Sequence, residues 1–533
     1  MIRSTFAGFT TAQLAMAASQ RALDVTGQNI SNINTPGYTR QRLDITSLNT
    51  QKGDFYNSNS TIKVGFGVQM TKVSQLRDPF LDAQYRSQIS KLGTSDAHVA
   101  GFEQLANIFD ESVDEGVRAA LVSISSSLST LSTQAGNKEH DTAVRSNMQV
   151  LLNIFREKAI RLQDIREDMQ SGFRSTDISD LNQILENIAE LNTSIKNSQI
   201  LGNPALELQD QRNTLLDELG SYLPISVKYR DETIGPDQTV EVLDVSFIDT
   251  NGQRHTLVYD GRYSTFDTNV TELPVTLTMT DANGNHVQLA GYQKDDKGND
   301  VYTEILGSGT VKGTLDLLNK SGDFDHSDFR GLGYYEKALD AMINKFATVF
   351  NEANKEAIPG TDPVEYKDRP LFTTKDGKTE GFTSLNIKIA DGWLNGDYGI
   401  TISNKLIDSK PGSTADENVL NMISLLEKGF DFEVPVEGGQ PVKFFTGSFH
   451  DCFANIENTL GIDTKSENAM LTNHITVLNQ TSNSRDGVSG VQLDEEGMNL
   501  LHFNQSYNAA ARLMTTLDEA LDKLINGTGV VGR

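Results

Sequence analysis

The chain is short of almost everything that would tie it down covalently or suit it to redox chemistry: in 533 residues it has one cysteine, Cys452, and one tryptophan. One thiol cannot close an internal disulfide, which leaves the compartment open between the cytosol and the exterior. No apolar run approaches the roughly eighteen residues that a membrane span requires, so membrane insertion is not expected. The start carries only Arg3 before Ser4-Thr5-Phe6, with no continuous apolar stretch and no small-residue cleavage site. A cleavable secretory signal is therefore not expected. Positive charge is scarce too. Lys and Arg number 46 against 72 Asp and Glu, a formal net charge of -26, which repels phosphates and anionic membranes and argues against a nucleic-acid partner.

Catalytic and metal-binding patterns are equally thin. The densest polar cluster, Asp323, Asp325, His326 and Asp328, lacks further convergent ligands. The runs at Asp249-Thr-Asn251-Gly252 and Asp281-Ala-Asn283-Gly284 lack the alternating acids and terminal glutamate of a calcium loop and read as hairpin turns. His450-Asp451-Cys452 has the residue types of a thiol catalytic set, yet neighbours in sequence do not converge on one point, so Cys452 reads as a core residue. Gly307-x-Gly309-x-x-x-Gly313 has the wrong spacing for a nucleotide fingerprint and reads as a turn among strands. Neither an enzyme nor a cofactor is expected.

What is present is helical periodicity at both ends. Ile2, Phe9, Met16, Leu23 and Ile30 recur every seven residues, with the mostly small Ala12, Ser19, Thr26 and Ile33 at the companion positions. Thr35 precedes Pro36, and Gly37 suits the positive φ of a turn, so this helix is expected to end near residue 33. At the other end Leu493, Leu500, Tyr507, Met514 and Leu521 form one seam row and Phe503, Ala510, Leu517 and Leu524 the second, a full heptad pattern. Asp494, Glu495 and Glu496 open that helix and Gly527 follows it. The two terminal helices, each roughly 45 Å long at about 1.5 Å per residue, are expected to pair.

Between them, 3-4 spaced apolar residues over 78–222 predict a long helical bundle, and Tyr335, Leu339, Met342, Phe346 and Val349 predict a helix that returns to it. Two stretches break the pattern. The first holds the alternating runs EVLDVSFID, HTLVYDG and VTLTMTD; the second holds LNIKIAD and YGITISN. The expected fold is α+β and multidomain: terminal coiled-coil helices at 1–33 and 495–533, and an elongated, discontinuous helical rod at 34–223, 313–358 and 447–494. The β-rich insertions are placed at 224–312 and 359–446.

Two segments carry a family resemblance. QRALDVTGQNISNINTPGYTRQR resembles the N-terminal signature of bacterial flagellar axial proteins, with Asn29, Asn32, Asn34, Thr35, Pro36, Gly37, Tyr38, Arg40 and Gln41 in the motif positions. Ser31 and Ile33 stand where that family often has Leu and Ala. SGVQLDEEGMNLLHFNQSYNAAARLMTTLDEALDKLING resembles the C-terminal signature. The helical middle, with DQRNTLLDELGSYLPISV, GTVKGTLDLLN and FNEAN, is similar to the hook-associated members; rod and hook proteins share only the ends.

The resemblance implies a structural, extracellular role in a ring of subunits between hook and filament, reached by type III export without signal cleavage. Implied partners are copies of the chain, the hook protein, the second junction protein and a cytosolic export chaperone, the last expected at Leu517, Leu521 and Leu524. The terminal helices are expected to order only on assembly, with Asn34 to Tyr38 as the hinge beyond the first. Whether Arg40 and Arg42 reach acids on an adjacent subunit is left open, as are a rod or hook role and an adhesin or hydrolase that uses the insertions.

Overall fold

The computed structural model describes residues 6–48, 65–110, 116–134, 136–235, 238–294, 300–358, 365–403, 416–436 and 440–527. It is an α+β chain built on long helices. α1 (Phe6–Ser31) leads into an antiparallel hairpin of β1 (Gln41–Ser47) and β2 (Val68–Gln75). Five helices follow: α2 (Pro79–Phe109), α3 (Val117–Thr133), α4 (Lys138–Gly172), α5 (Ile178–Ile200) and α6 (Leu206–Tyr222). Asp78 caps α2 by accepting from Phe80 N at 2.9 Å, with Pro79 in the first turn where a missing N–H costs nothing. Asn137 caps α4 in the same way through Glu139 N. A π-helical turn at Phe173–Asp177 joins α4 to α5. The periodic residues Leu121, Ile124, Leu128, Leu152, Phe155, Leu162, Leu181, Ile184 and Ile188 are all buried.

The chain then leaves the helices. β3 (Ile225–Gly235), β4 (Gln238–Ile248), β5 (Arg254–Tyr259) and β6 (Arg262–Tyr263) form one antiparallel sheet in chain order. β7 (Thr265–Asn269), β8 (Thr276–Thr280), β9 (His286–Lys294) and β10 (Asp300–Glu304) form a second, also in chain order. Their inward residues, among them Val245, Phe247, Val258, Leu277, Met279 and Leu289, are buried, and α5 packs against both sheets. Asn182 on α5 clamps β7, donating to Phe266 O at 2.9 Å and accepting from Phe266 N at 2.8 Å. The two calcium-like runs are hairpin turns. Asp249 accepts from Asn251 N and Gln253 N, and Asp281 from Asn283 N and Asn285 N, so backbone donors hold one carboxylate oxygen of each.

Next come α7 (Thr310–Asn319) and α8 (Leu332–Ala353). The glycines before and inside α7 are not a turn between strands. Gly309 starts the helix at φ 111°, and a Cβ there would lie 2.0 Å from Tyr222 O; one on Gly313 would lie 2.7 Å from Thr94 O. Glycine is required because α7 is pressed onto α2 and the end of α6.

The last stretch before the C-terminal helices is less regular than its β-rich reading. β11 (Glu356–Ala357) pairs with β12 (Tyr366–Lys367), β13 (Phe372–Thr374) with β14 (Ile387–Ile389), and β15 (Phe430–Val434) with β16 (Val442–Gly447). Between them lie α9 (Asp391–Asn395) and α10 (Glu417–Glu427). YGITISN, expected as a strand, forms none over its described residues. Ile400 N donates to Asp141 on α4 at 2.8 Å and Thr401 N to Asn354 at 2.7 Å, so side chains satisfy a backbone that needs no neighbouring strand. Finally α11 (Phe449–Ser489), opened by a reciprocal cap between Ser448 and Asp451, and α12 (Leu493–Gly527) return along the molecule. α11 runs antiparallel to α2, joining Phe453 and Ile456 to the core around Phe102, Phe109 and Tyr335.

Candidate functional site

α1 and α12 pair antiparallel within one chain. A Cβ on Gly8 would lie 3.0 Å from Leu517 Cδ1, and at the other end of the pair the chain beyond α1 meets the first turn of α12. The seam differs from its sequence reading. On α1 the buried residues are Ala12, Ala18, Ser19, Ala22, Val25, Thr26 and Asn29, whereas Phe9, Met16, Leu23 and Ile30 are only half-buried. The small companion positions Ala12, Ser19 and Thr26 are thus the covered ones, the larger stripe residues are partly open, and Ile33 is exposed. Ile2 lies outside the described residues.

On α12 only Glu496 and Ala510 are buried. Phe503, Tyr507, Met514, Leu517 and Leu521 are half-buried. Leu493, Leu500 and Leu524, which the heptad pattern places in the seam, are exposed at 58%, 39% and 55%, together with Met498, Leu501, Leu513 and Ile525. The pattern runs the length of the helix, but a single partner closes only its middle. One helix covers one narrow face, and the remaining apolar residues splay around the other sides.

The segment after α1 is a hydrogen-bonded knot, a correction to its reading as a hinge. Buried Asn29 in the last turn of α1 accepts from Gln41 N and from the Tyr38 hydroxyl, each at 2.9 Å, and donates to Gln41 O at 2.9 Å. Asn32 accepts from the Thr35 hydroxyl at 3.1 Å, and Thr35 O accepts from Tyr38 N. Asn34 and Pro36 lie exposed at the tip. Gly37 has φ 76°, and a Cβ there would sit 2.5 Å from Thr214 Oγ1 on α6, so both backbone and space call for glycine. Thr39 donates twice to Asp210 at the start of α6, from N at 3.1 Å and from its hydroxyl at 2.6 Å. Arg77 grips both oxygens of Asp82 and donates to Thr39 Oγ1.

Arg40 finishes the knot. Its N donates to Ser489 O at the end of α11, and its guanidinium pairs with Glu495 at 2.5 Å and Glu496 at 2.7 Å on α12. Its acidic partners therefore lie in its own chain. Arg42 pairs with Asp44 at the surface of the hairpin. Burial pushes the Asp210 carboxyl up, although Thr39 and Arg77 pull it down. The Tyr38 phenol is raised well above its usual range by burial and then by Asp210, Glu207 and Glu496. Five segments meet at this joint: α1, the hairpin, α2, α6 and the α11–α12 turn.

Asp210, Arg77, Asp82 and the pairing role of Glu495 and Glu496 were not singled out as site residues from sequence. Asp210 opens the quoted stretch DQRNTLL, but no spacing rule links it to a threonine 171 positions earlier. The rejected chemistry is accounted for locally. Cys452 is buried and its thiol is pushed far up by burial, while Asp451 is held by Ser448. Asp325 accepts from Ser321 N and Ser327 N, and Asp328 pairs with Lys320. Among the described residues no cluster of His, Cys, Asp and Glu could hold a metal ion, and no helix is long and apolar enough to cross a membrane.

The pairing of both ends with this helical middle has a counterpart among known proteins. Residues 102–362 match the family model of the flagellar hook-associated protein FlgK helical domain. Residues 9–39 match that of the flagella basal body rod protein, and residues 487–527 that of the flagellar basal body rod FlgEFG protein C-terminal region. The flagellar hook-associated protein 1 of Bacillus subtilis is 29% identical over 99% of this chain and 100% of its own length. Along nearly its whole length the chain is similar to the flagellar hook-associated proteins. The protein of the same description from Salmonella typhimurium is 25% identical over 97% of this chain and 98% of its own. In fold, the chain is similar to the flagellar hook junction protein FlgK from Burkholderia pseudomallei, with a TM-score of 0.51 at 12% identity, over 76% of this chain and 100% of that one. The matched terminal models cover most of the α1–α12 pair and, of the knot, Asn29 to Thr39 with Glu495 and Glu496; the matched middle covers most of the bundle and the first β insertion.

Proposed function

We infer that the protein is a structural component of the bacterial flagellum that forms the junction between hook and filament, assembling with copies of itself through α1 and α12. One observation carries the assembly reading. α12 leaves Leu493, Met498, Leu500, Leu501, Leu513, Leu524 and Ile525 exposed around a helix that has one long partner, an apolar surface that a solitary chain has no reason to keep and that neighbouring copies would cover. Relatives described as hook-associated and as a hook junction protein support the place of assembly. Hook protein on one side and the second junction protein on the other are the expected neighbours.

The same surface calls for a cytosolic export chaperone before assembly. Leu517 is half-buried beside Gly8 of α1, Leu521 is half-buried and Leu524 is exposed, so a chaperone that takes all three must displace α1 at least from Leu517. Delivery is by flagellar export without signal cleavage, to an extracellular site. The α1–α12 pair is marginal in the free chain and becomes rigid when copies flank it, which places the ordering cost at insertion. The β3–β10 insertion, which packs on α5 and also meets α7 where Asn319 bonds Val275 and Tyr302, is an outward-facing domain and not part of the ring contacts. Deleting the gene should leave hooks intact and filaments unattached; filaments that remain anchored without it would refute the junction role.

A further inference from the structure

α11 is fastened to α2 in two different ways. Up to Leu460 its inward residues Phe449, Cys452, Phe453, Ile456 and Leu460 are buried in an aromatic core. Beyond, Glu467 is the last buried residue, and the seam to Ser489 has half-buried Leu471 and Leu478 between polar rungs. Gln88 meets His474 Nδ1 at 2.9 Å; Arg485 lies with its guanidinium 3.9 Å from the ring centre of Tyr85 on α2 and pairs with Asp217 of α6 at 2.5 Å.

The rung nearest the core has a geometry that only one protonation state satisfies. His98 on α2 lies with Nδ1 3.3 Å from Glu467 Oε2 on α11 and Nε2 3.3 Å from Asp316 Oδ2 on α7, and all three residues are buried. Its ring stacks on Phe329 at 4.0 Å. A neutral imidazole carries one N–H and the imidazolium two, so only the protonated ring donates to both carboxylates; a neutral ring turns a lone pair on one of them. Asp316 keeps Lys312 and Lys320 at 3.0 and 2.7 Å in either state. Glu467 has His98 as its one hydrogen-bond partner among the described residues.

We propose that His98 is a pH-operated clasp that ties α11 to α2 and α7 through Glu467 and Asp316 while it holds its proton, and loosens the inner half of α11, residues 467–489, when it loses it. The groups around it fit this assignment. α7 presents Asp316, Lys312 and Lys320; β10 presents Glu304, 3.3 Å from Lys312; α11 presents Glu467. Asp328 and Arg330 flank Phe329, and Arg330 is bound to Asp463 of α11. Burial pulls the His98 pKa down, but the hydrogen bonds and charges of Asp316 and Glu467 together leave it above 6.5. A folded pKa above the unfolded one means stabilisation that is complete below about 6.5 and lost as pH rises through the folded value. His474 does not oppose this: burial and then Lys91 hold its pKa below 6.5, so its neutral ring goes on accepting from Gln88 as pH rises. Glu304, pushed up to about 7 chiefly by burial and Asp316, titrates in the same window, but on the α7 side. The proposal does not depend on the junction role.

The test is amide exchange on the full chain between about pH 6.5 and about pH 9, corrected for the intrinsic pH dependence of exchange. Protection across 467–489 should fall roughly tenfold more than across 449–460. His98→Gln should remove that difference while leaving the Glu304 contribution in place. If that variant does not fold, Glu467→Gln, which keeps the ring and its packing, should remove it instead. Equal loss in both segments, or a difference that survives in a folded variant, overturns the clasp.

Discussion

Two antiparallel helix pairs dominate the molecule, and they are built on opposite plans. The outer half of α2–α11 is closed: Phe102, Leu105, Phe109, Phe453 and Ile456 are buried among aromatic neighbours. The α1–α12 pair is open: small residues fill the α1 side, and α12 buries only Glu496 and Ala510. A closed pair gains its stability from its own chain. An open pair leaves part of that gain to be made with other chains, while a polar knot, with Thr39 on Asp210 and Arg40 on Glu495 and Glu496, fixes its position on the rod.

Substitutions should separate the two plans. The largest loss of stability is expected on the closed side: Phe453→Ala leaves a cavity in a full core and should cost about 3–5 kcal/mol, seen as a lower melting temperature of the whole rod. Next comes the knot. Arg40→Ala strands buried Glu496 without its partner, a loss of about 3 kcal/mol, but one confined to the docking of α12. Melting of the rod should be nearly unchanged while protease cuts appear between α11 and α12. Gly37→Ala should cost about 1–2 kcal/mol for the left-handed backbone alone, with the clash against Thr214 added, and should likewise loosen α1 while sparing the bundle. The smallest effect on stability belongs to the open face. Leu501→Ser should change stability by less than about 0.5 kcal/mol yet impair assembly with other copies, measured by sedimentation under polymerising conditions. Assembly at the unsubstituted level would remove that face from the subunit contacts.

How much of this could be read from the sequence follows the same division. The closed bundle was legible because its core residues repeat at helical spacing: Leu121, Ile124 and Leu128 on α3, and Leu181, Ile184 and Ile188 on α5, are buried as their periodicity implies. The first insertion was legible from alternation and from Asn251-Gly252 and Asn283-Gly284. The open pair was legible as helices but misread in its seam. Heptad reading ranks residues by size, so it favoured Phe9 and Met16 on α1, whereas the small Ala12, Ser19 and Thr26 are the buried ones. The knot was legible only as a motif. Asn29, Tyr38 and Gln41 stand close in sequence, but Asp210, Glu495 and Glu496 reach it from far away, and no local pattern encodes a contact across 171 or 456 positions. YGITISN failed as a strand because Asp141 and Asn354 take the backbone bonds that a neighbouring strand would otherwise supply.

The central claim, that α1–α12 is the unfinished part of an otherwise finished fold, is tested most directly by amide exchange on the free chain and on its assembled form. In the free chain, residues 14–23 of α1 and the facing turns of α12 should exchange far faster than the Phe102 to Phe109 region of α2, and should slow strongly on assembly. Protection of residues 14–23 in the free chain equal to that of α2, with no gain on assembly, would contradict it.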